Sequence, residues 1–377
     1  KIGAIIILLV DVLIYFLPSP IQNPEAFYLG PLPSLPTVLL DLAADPSRVE
    51  LLFNGKLKGP ESIEFDSAGR IYLSLGNGSI VRSVEPVSGQ NEIVLEEFVH
   101  IGQRLPECGL DEFEDVCGRP LGLRFDKAGN LLAMDASSGL LNITSSGKIQ
   151  QLVTQYRGEP FKFPNDLVIL DDGSIYFSDS STRFKRRDNS YDVFEGRASG
   201  RLFHYIPSTN TTEMVLDGLY FANGVEVHPS KDFLIVSETT RARILKYYLK
   251  GPKAGSKEIF AENLPCLPDN IRWDSDARVF WVGCATKRVQ PFSLIDAFSA
   301  FPSLRSLLTK TLPKSLLYKF VPQYGLLLGL DAEGNIVKGY KDATGVVAWV
   351  SEAHHHGGYA YFGSFRQTVL PRYKLDE

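Results

Sequence analysis

The sequence has no excess of positive charge, since 39 Lys and Arg residues stand against 44 Asp and Glu residues, for a net charge of −5. A chain of this charge repels phosphates, which excludes nucleic acid as its main partner. Cysteine is scarce, with four residues in 377. No His and no second Cys pair stands at ligand spacing beside Cys108 and Cys117. The scarcity therefore argues against a zinc domain.

The four cysteines and three glycosylation sequons predict a lumenal or extracellular location. Cys108 and Cys117 flank the acidic loop CGLDEFEDVC, and we expect them to form a disulfide in an oxidising compartment. Cys266 and Cys284 are either paired within one sheet or free. The three N-x-S/T sequons predict glycosylation at Asn77, Asn142 and Asn210.

The first twenty residues differ from the rest of the chain. Residues 2–17 are apolar except for Asp11, and two prolines follow at once. A membrane span needs ~20 apolar residues, and LPSPIQNPEAF is a poor cleavage site for a signal peptide. We expect an uncleaved signal anchor over residues 1–20, giving a single-pass type II membrane protein. A cleaved signal peptide and a buried soluble segment are the alternatives.

A hairpin pattern recurs six times after this segment. Each copy has a short apolar or alternating strand, a turn rich in Asp and Gly, and a second apolar strand. The copies are GPESIEFDSAGRIYLS (59–74), RPLGLRFDKAGNLLAM (119–134), FPNDLVILDDGSIYFS (163–178), FANGVEVHPSKDFLIV (221–236), PDNIRWDSDARVFWV (268–282) and YGLLLGLDAEGNIVKG (324–339). Their turns recur at gaps of 44 to 60 residues. Strands alone at this period predict an all-β, six-bladed β-propeller.

One position of the repeat is rich in side-chain oxygen. The residues eight positions before the turns are Glu61, Leu121, Asn165, Asn223, Asn270 and Leu326, and Asp269 adjoins Asn270. Rotation about the propeller axis brings equivalent positions together at the channel mouth. Calcium takes six to eight oxygen ligands, and the ring supplies five of them together with two negative charges. The ring therefore predicts a Ca²⁺ site at Glu61, Asn165, Asn223, Asp269 and Asn270. A local Asx-turn at each strand start is the alternative for the asparagines.

Longer motifs resemble the strictosidine synthase-like family of six-bladed propellers. They include VCGRPLG, FPNDL, SDSSTRFKRRD, GRLFHY, FANGV, SETTRARI, PDNIRW and YFGSFR, so the resemblance spans residues 51–375. It implies a type II membrane protein with a lumenal or extracellular propeller. The wider superfamily includes paraoxonases and gluconolactonases, which hold a catalytic calcium with Glu, two Asn and an Asp-Asn pair. These ligands fall on the same five residues that the repeat selects.

The resemblance implies a calcium-dependent hydrolase, arylesterase-like, that acts on a small apolar ester or lactone with Asp269 as the general base. Three departures from the family matter. Leu121 stands where paraoxonases have a catalytic His. Ser62 replaces an Asp ligand of their deeper structural calcium, although Asp166 is retained. Glu352 lies one residue from the position of the catalytic base of plant strictosidine synthase. A non-catalytic, membrane-anchored binding protein with a structural calcium is therefore the alternative, and strictosidine synthase-type condensation is a third hypothesis.

A helical insertion interrupts the strand pattern at 291–322. Its apolar residues recur at helical spacing on both sides of Pro313. We expect a lid over the channel mouth that lines an apolar pocket. A packed insertion between blades, or a basic amphipathic face on a membrane, are the alternatives. The predicted domain plan is an anchor at 1–20, a linker and lead-in at 21–50, and a propeller at 51–377. The basic run at 183–187 is either a solvated loop or a contact to an anionic substrate.

Overall fold

The predicted hairpin turns form because each contains a residue in the left-handed backbone region. The computed structural model describes residues 17–88 and 92–376. The six turn residues with positive φ are Gly69, Gly129, Gly173, Lys231, Arg278 and Gly334. Asp66 stabilises the first of these turns by accepting hydrogen bonds from the backbone N–H groups of Ala68 and Arg70 at 3.0 and 2.9 Å. Such a short turn joins neighbouring antiparallel strands.

The strands assemble into six radial sheets, which are the blades of a propeller. Two strands precede the first blade: β1 (Leu39–Asp41) and β2 (Val49–Leu52). Blade 1 contains β3 (Ile63–Phe65), β4 (Ile71–Ser74), β5 (Ser79–Ser83) and β6 (Leu95–His100). Blade 2 contains β7 (Pro120–Phe125), β8 (Leu131–Asp135), β9 (Gly139–Ile143) and β10 (Ile149–Val153). A short hairpin follows, with β11 (Gln155–Tyr156) and β12 (Glu159–Pro160). Blade 3 contains β13 (Pro164–Ile169), β14 (Ile175–Asp179), β15 (Gly200–Ile206) and β16 (Thr211–Leu219).

The last two blades incorporate strands from the start of the propeller. Blade 4 contains β17 (Ala222–Val227), β18 (Phe233–Glu238), β19 (Arg243–Tyr248) and β20 (Lys257–Ala261). Blade 5 contains β21 (Cys266–Asp274), β22 (Val279–Lys287), β23 (Gly325–Leu330) and β24 (Ile336–Asp342), with β1 added in parallel to β24. Blade 6 contains β25 (Val350–His356), β26 (Tyr359–Ser364) and β27 (Leu370–Lys374). Because β2 pairs with β27, the two ends of the propeller close one blade.

The structure confirms the six-bladed propeller and corrects the sixth repeat. The hairpin at 324–339 forms β23 and β24, the outer strands of blade 5, so Leu326 is not a channel position. The innermost strand of blade 6 is β25. The expected start of the propeller at residue 51 also falls inside β2, since residues 39–52 supply strands to two blades.

Short helices lie in the connections between strands. The α-helices are α1 (Glu114–Cys117), α2 (Asn189–Glu195), α3 (Leu294–Ser299), α4 (Pro302–Thr311) and α5 (Lys314–Leu317). The 3-10 turns are Leu42–Ala44, Pro46–Arg48, Asp111–Phe113, Arg186–Asp188, Thr239–Arg241 and Tyr318–Phe320. Pro302 suits the first turn of α4, where its missing N–H costs no hydrogen bond. None of the helices within the described ranges is long and apolar enough to cross a membrane. The predicted anchor, residues 1–20, lies outside those ranges except for residues 17–20.

The apolar core lies between neighbouring blades. Between blades 3 and 4, for example, Val225, Leu234 and Val236 are fully buried and pack with Leu202 and Leu219. Equivalent clusters fill the other interfaces. This packing fixes the inner strands around the axis, so that side chains at their starts meet at one end of the channel.

Candidate metal centre

A β-bulge near the start of the inner strand places two consecutive residues on the channel in each of blades 2 to 6. The pairing shifts between Pro164 and Leu167 in β13, for example, so Asn165 and Asp166 both lie in the bulge. The same shift occurs in β7, β17, β21 and β25. The first bulge residues, with their blade 1 equivalent, form what we call the upper tier: Glu61, Leu121, Asn165, Asn223, Asp269 and Ser351. The second residues form the lower tier: Ser62, Gly122, Asp166, Gly224, Asn270 and Glu352.

The structure brings the five predicted ligands to this end of the channel but divides them between the tiers. Glu61, Asn165, Asn223 and Asp269 line the floor of a cavity. Asn270 lies beneath them and is fully buried. The repeat had placed Asn270 in the ring and Asp269 beside it, whereas the strand register exchanges the two positions.

The three asparagines have the same orientation. Each amide nitrogen donates a hydrogen bond to a side chain: Asn165 to Ser180 Oγ at 2.9 Å, Asn223 to Thr239 Oγ1 at 3.2 Å, and Asn270 to Glu352 Oε2 at 3.4 Å. The three Oδ1 atoms are buried and accept no hydrogen bond. Unpaired buried acceptors are uncommon because each one costs free energy. Three of them in one place indicate a cationic ligand, and this arrangement does not fit local Asx-turns.

Two carboxylates complete the upper tier. Burial raises the pKa of Asp269 well above its usual range, and the neighbouring Glu61 carboxylate raises that pKa further. A hydrogen bond from Asn223 opposes both effects. Glu61 Oε2 accepts a hydrogen bond of 2.6 Å from the buried Arg119 guanidinium. A divalent cation would relieve the repulsion between Glu61 and Asp269.

A permanent cation, Arg272, binds residues of the lower tier and is only 3% exposed. Its guanidinium donates to both carboxylate oxygens of Asp166, at 2.7 and 3.1 Å, and forms an ion pair with Glu352. Burial lowers the pKa of Arg272, but Asp166 and Glu352 outweigh this effect and raise it. Burial also raises the pKa of Glu352 to about 7, although Arg272 opposes this shift. The Asp166 side chain is therefore occupied by a guanidinium.

The charges of the two tiers favour a divalent ion. Four carboxylates (Glu61, Asp166, Asp269 and Glu352) face two buried guanidiniums, Arg119 and Arg272. When all are ionised, two negative charges remain in excess. The oxygen-rich donor set is the kind that calcium prefers. Within residues 17–88 and 92–376, no group of three His, Cys, Asp or Glu side chains stands at metal-binding distance. The site therefore depends on its amide oxygens.

The adjacent histidines of β25 point to different surroundings. His355 Nδ1 lies 3.0 Å from Asp274, and His356 stacks on Phe65 at 4.1 Å between ring centroids. His354 lies 3.8 Å from Glu352. They do not converge on one ion.

The cavity above the upper tier is largely apolar, with a volume of about 280 Å³. Its walls come from the propeller and from the predicted lid, 291–322. Phe163 and Phe221 contribute from the positions directly before β13 and β17, and Phe298, Tyr318 and Phe320 contribute from the lid. Leu121 is fully buried against Phe163 and Phe221. Residues of the segment thus line an apolar pocket together with residues of the upper tier, and its role as a lid remains a prediction.

Arg119 and Arg272 were not predicted as site residues, whereas Arg186 belongs to the basic run for which a substrate contact was one alternative. Arg186, from the basic run at 183–187, lines the cavity and donates to Glu114 Oε1 at 2.6 Å. The neighbouring Arg183, Lys185 and Arg187 form ion pairs with acidic side chains. Arg119 binds Glu61 in the upper tier, and Arg272 binds Asp166 and Glu352 in the lower tier. Arg272 lies two positions after Asn270 in the strand PDNIRW, and strand alternation was the available signal that it faces the channel.

The remaining predicted sites are the cysteine pairs and the glycosylation sequons. Cys108 and Cys117 form the expected disulfide, and Cys266 and Cys284 are also bonded. Asn210 is exposed in a turn, Asn77 is half-buried, and Asn142 lies within β9 with its Oδ1 buried.

Comparison with protein families and known sequences gives a consistent picture. The profile described as strictosidine synthase matches residues 165–252, and the profile described as strictosidine synthase-like, N-terminal, matches residues 47–83. The adipocyte plasma membrane-associated protein of Danio rerio is 36% identical over 99% of this chain and 89% of its own length. The human protein of that name is 37% identical over 87% of this chain and 78% of its own length. The strictosidine synthase-like 13 protein of Arabidopsis thaliana is 36% identical, over 90% of this chain and 86% of its own length.

Solved structures share the fold at low sequence identity. A gluconolactonase from Xanthomonas campestris aligns with a TM-score of 0.57 at 14% identity, covering 96% of this chain and 97% of that one. A calcium-binding protein, regucalcin from Agrobacterium tumefaciens, aligns with a TM-score of 0.53 at 10% identity, covering 86% and 93%. These likenesses support the propeller architecture alone.

Proposed function

The chain belongs to the strictosidine synthase-like family of propellers, and from this premise we propose that it is a calcium-dependent hydrolase of apolar esters or lactones. The observation that carries the proposal is a set of three buried, unpaired Oδ1 atoms near Glu61 and Asp269: those of Asn165 and Asn223 at the floor of an apolar cavity, and that of Asn270 beneath it. A relative in fold is described as calcium-binding, and another as a gluconolactonase.

The residues of both tiers would hold one calcium ion through Glu61, Asn165, Asn223, Asp269 and Asn270. When bound, the ion supplies a Lewis acid that stabilises negative charge on a carbonyl oxygen. Ser180, Thr239 and Glu352 hold the three asparagine amides in the orientation that presents oxygen. Arg119 positions the Glu61 carboxylate by donating a hydrogen bond to its Oε2 atom. This prior orientation lowers the cost of assembling the site.

Asp269 is the proposed general base. Its carboxylate lies at the cavity floor and is 5% exposed, so it faces the space that a substrate would occupy. Burial raises its pKa in the absence of metal, whereas a bound calcium ion would lower it, so proton transfer to Asp269 should be slow. The aromatic walls exclude bulk water and suit an apolar acyl or aryl group. Arg186 adds one positive charge to the wall.

A second candidate is a binding protein in which calcium only stabilises the propeller. Leu121 favours it, because an inert side chain occupies the place of the catalytic His of paraoxonases. Condensation of the strictosidine synthase type is less well supported. Glu352 is fully buried, paired with Arg272, and absent from the cavity wall.

We further propose that the protein is held at a membrane in the secretory pathway or at the cell surface, with the propeller lumenal or extracellular. Relatives named plasma membrane-associated, the apolar residues 2–17 and two disulfides support this location. The proposed domain plan is then an anchor at 1–20, a lead-in at 21–50 that adds strands to blades 5 and 6, and a propeller at 51–377.

Hydrolysis of aryl esters and lactones by the purified protein tests the proposed activity. We expect a rate that a chelator abolishes, that calcium restores, and that D269N lowers by at least tenfold. D276N changes an exposed carboxylate of the same hairpin and should match the parent. A folded, calcium-loaded protein without hydrolysis would favour the binding protein instead.

A further inference from the structure

The outer face of the lid exposes several large apolar side chains. Phe292 is 63% exposed, Phe301 57%, Leu307 41% and Phe320 53%. Phe292 and Phe320 also line the cavity, so they stand at its rim. Exposed apolar groups clustered at a pocket entrance are typical of an interaction surface.

The charge of the same segment is opposite to that of the whole chain. Residues 291–322 contain four basic residues and one acidic residue, whereas the chain carries a net charge of −5. The acidic residue, Asp296, is bound to Arg288 at 2.7 Å. Arg305 is buried and donates to backbone carbonyls, and Lys314 is paired with Asp188, whereas Lys319 is exposed beside Phe320. An exposed apolar face with a lysine beside it fits a lipid surface.

A strap, residues 19–33, ties the start of the described chain to this lid. Ser19 Oγ lies 3.1 Å from Ser306 Oγ on α4, and the Phe27 N–H donates to Ser299 O at 3.1 Å. Further along, the Gln290 N–H donates to Pro33 O at 3.0 Å. Phe27 is 2% exposed and forms part of the cavity wall. The strap is therefore packed as part of the lid.

The strap begins close in sequence to the apolar residues 2–17, because Pro18 alone separates Leu17 from Ser19, which contacts α4. Leu17, the last apolar residue of that run, lies two positions before Ser19 and is itself 38% exposed. If residues 2–17 enter a bilayer, the lid face must lie close to that bilayer.

We propose that the lid face, formed by Phe292, Phe301, Leu304, Leu307 and Phe320, rests on the surface of a lipid bilayer, with the cavity opening towards the lipid. A symmetric dimer would also cover this face, but it would not account for the chain that leads from the strap into the apolar residues 2–17. The orientation rests on the membrane association proposed above, and it provides a route by which an apolar ester moves from lipid to cavity.

Quenching by brominated phospholipid in vesicles of phosphatidylcholine and phosphatidylserine tests the orientation in the full chain. F301W and F320W each place a reporter on the lid face. V94W is the matched control, because Val94 is 57% exposed and precedes β6 at the end of blade 1 opposite the upper tier. The apolar face should enter ~5–10 Å into the headgroup region. We therefore expect quenching of F301W and F320W emission to exceed that of V94W severalfold.

Flotation of the vesicles separates the two proposals. A chain that floats, with equal quenching of all three reporters, would overturn the orientation and leave membrane association intact. A chain that does not float would overturn both. Unquenched but blue-shifted emission of F301W, together with cross-linking between chains, would replace the bilayer with a second copy.

Discussion

At the scale of single residues, the carboxylates of the two tiers have different partners. In the upper tier, Glu61 and Asp269 share the channel with the unpaired amide oxygens of Asn165 and Asn223, and the proposed calcium ion would balance them. In the lower tier, Arg272 is a covalently attached cation that already binds Asp166 and Glu352. The proposed site therefore calls for one metal ion.

Replacing Arg272 should destabilise the fold severely. R272M keeps a similar volume but leaves Asp166 and Glu352 buried without their guanidinium partner, which costs ~3–5 kcal/mol. Urea unfolding would measure the loss. R70M, which removes a part-exposed pair with Asp66, should lose no more than ~1 kcal/mol. Equal losses in the two variants would show that Arg272 does not neutralise the lower tier.

At the scale of elements, the lid and the propeller floor have separable roles. Phe298 on α3 lines the cavity from the lid and offers no polar atom to a metal. F298A should raise the KM for large apolar esters roughly tenfold, because the lost aromatic contact is worth ~1.5 kcal/mol. Calcium affinity should be unchanged. F301A, on the exposed side of the lid, is the control for hydrolysis of a soluble substrate. A change in calcium affinity with F298A would mean that the lid shapes the metal site.

The stability of the folded protein should depend on pH through Asp192 of helix α2. Burial raises the pKa of Asp192 to about 7, hydrogen bonds from Ser181 and Ser199 oppose the shift, and Glu195 adds to it. Because the folded-state pKa lies above the unfolded value of 3.8, the folded state binds the extra proton between these values. Stability should therefore fall as pH rises from about 4 to 7 and then level off.

The variant D192N should remove this dependence. At pH 8 it should be more stable than the parent by an amount on the order of a few kcal/mol, since one pKa unit is worth about 1.4 kcal/mol. Urea unfolding at pH 5 and pH 8 would measure it. D217N, at an exposed position, should follow the parent at both values. A D192N curve parallel to that of the parent would contradict the assignment.

Hairpin turns and inner strands could be predicted because they depend on neighbouring residues. The sixth blade could not, because β25 and β26 join through Gly357 and Gly358 and lack the Asp-containing turn of the other inner hairpins. The turn at 331–334 carries that signature on the outer strands of blade 5 instead.

The exchange of Asp269 and Asn270 has a similar cause. Arg278, the left-handed turn residue of blade 5, lies one position further from its bulge than Gly173 or Lys231 does in its own blade. Counting back from the turn therefore gave the wrong residue of the pair. The roles of Arg119 and Arg272 depend on contacts between blades, which no local pattern reveals.

At the scale of the whole molecule, the folded surface selects among the three sequons. Asn210 is exposed in a turn, whereas Asn142 lies in a strand with its Oδ1 buried. We expect the chain, when expressed through a secretory pathway, to carry a glycan at Asn210 and none at Asn142. Peptide mass spectrometry after enzymatic deglycosylation would measure occupancy, with N210Q as the control. A fully occupied Asn142 would contradict the placement of β9.

Calcium binding by the full chain is the most direct test of the central claim. Isothermal titration calorimetry of the metal-free protein should show one site per chain. D269N should weaken that site by at least tenfold, and D276N should bind like the parent. Absence of calcium binding, or equal affinity in D269N and the parent, would mean that the three unpaired asparagine oxygens and Asp269 do not form a metal centre.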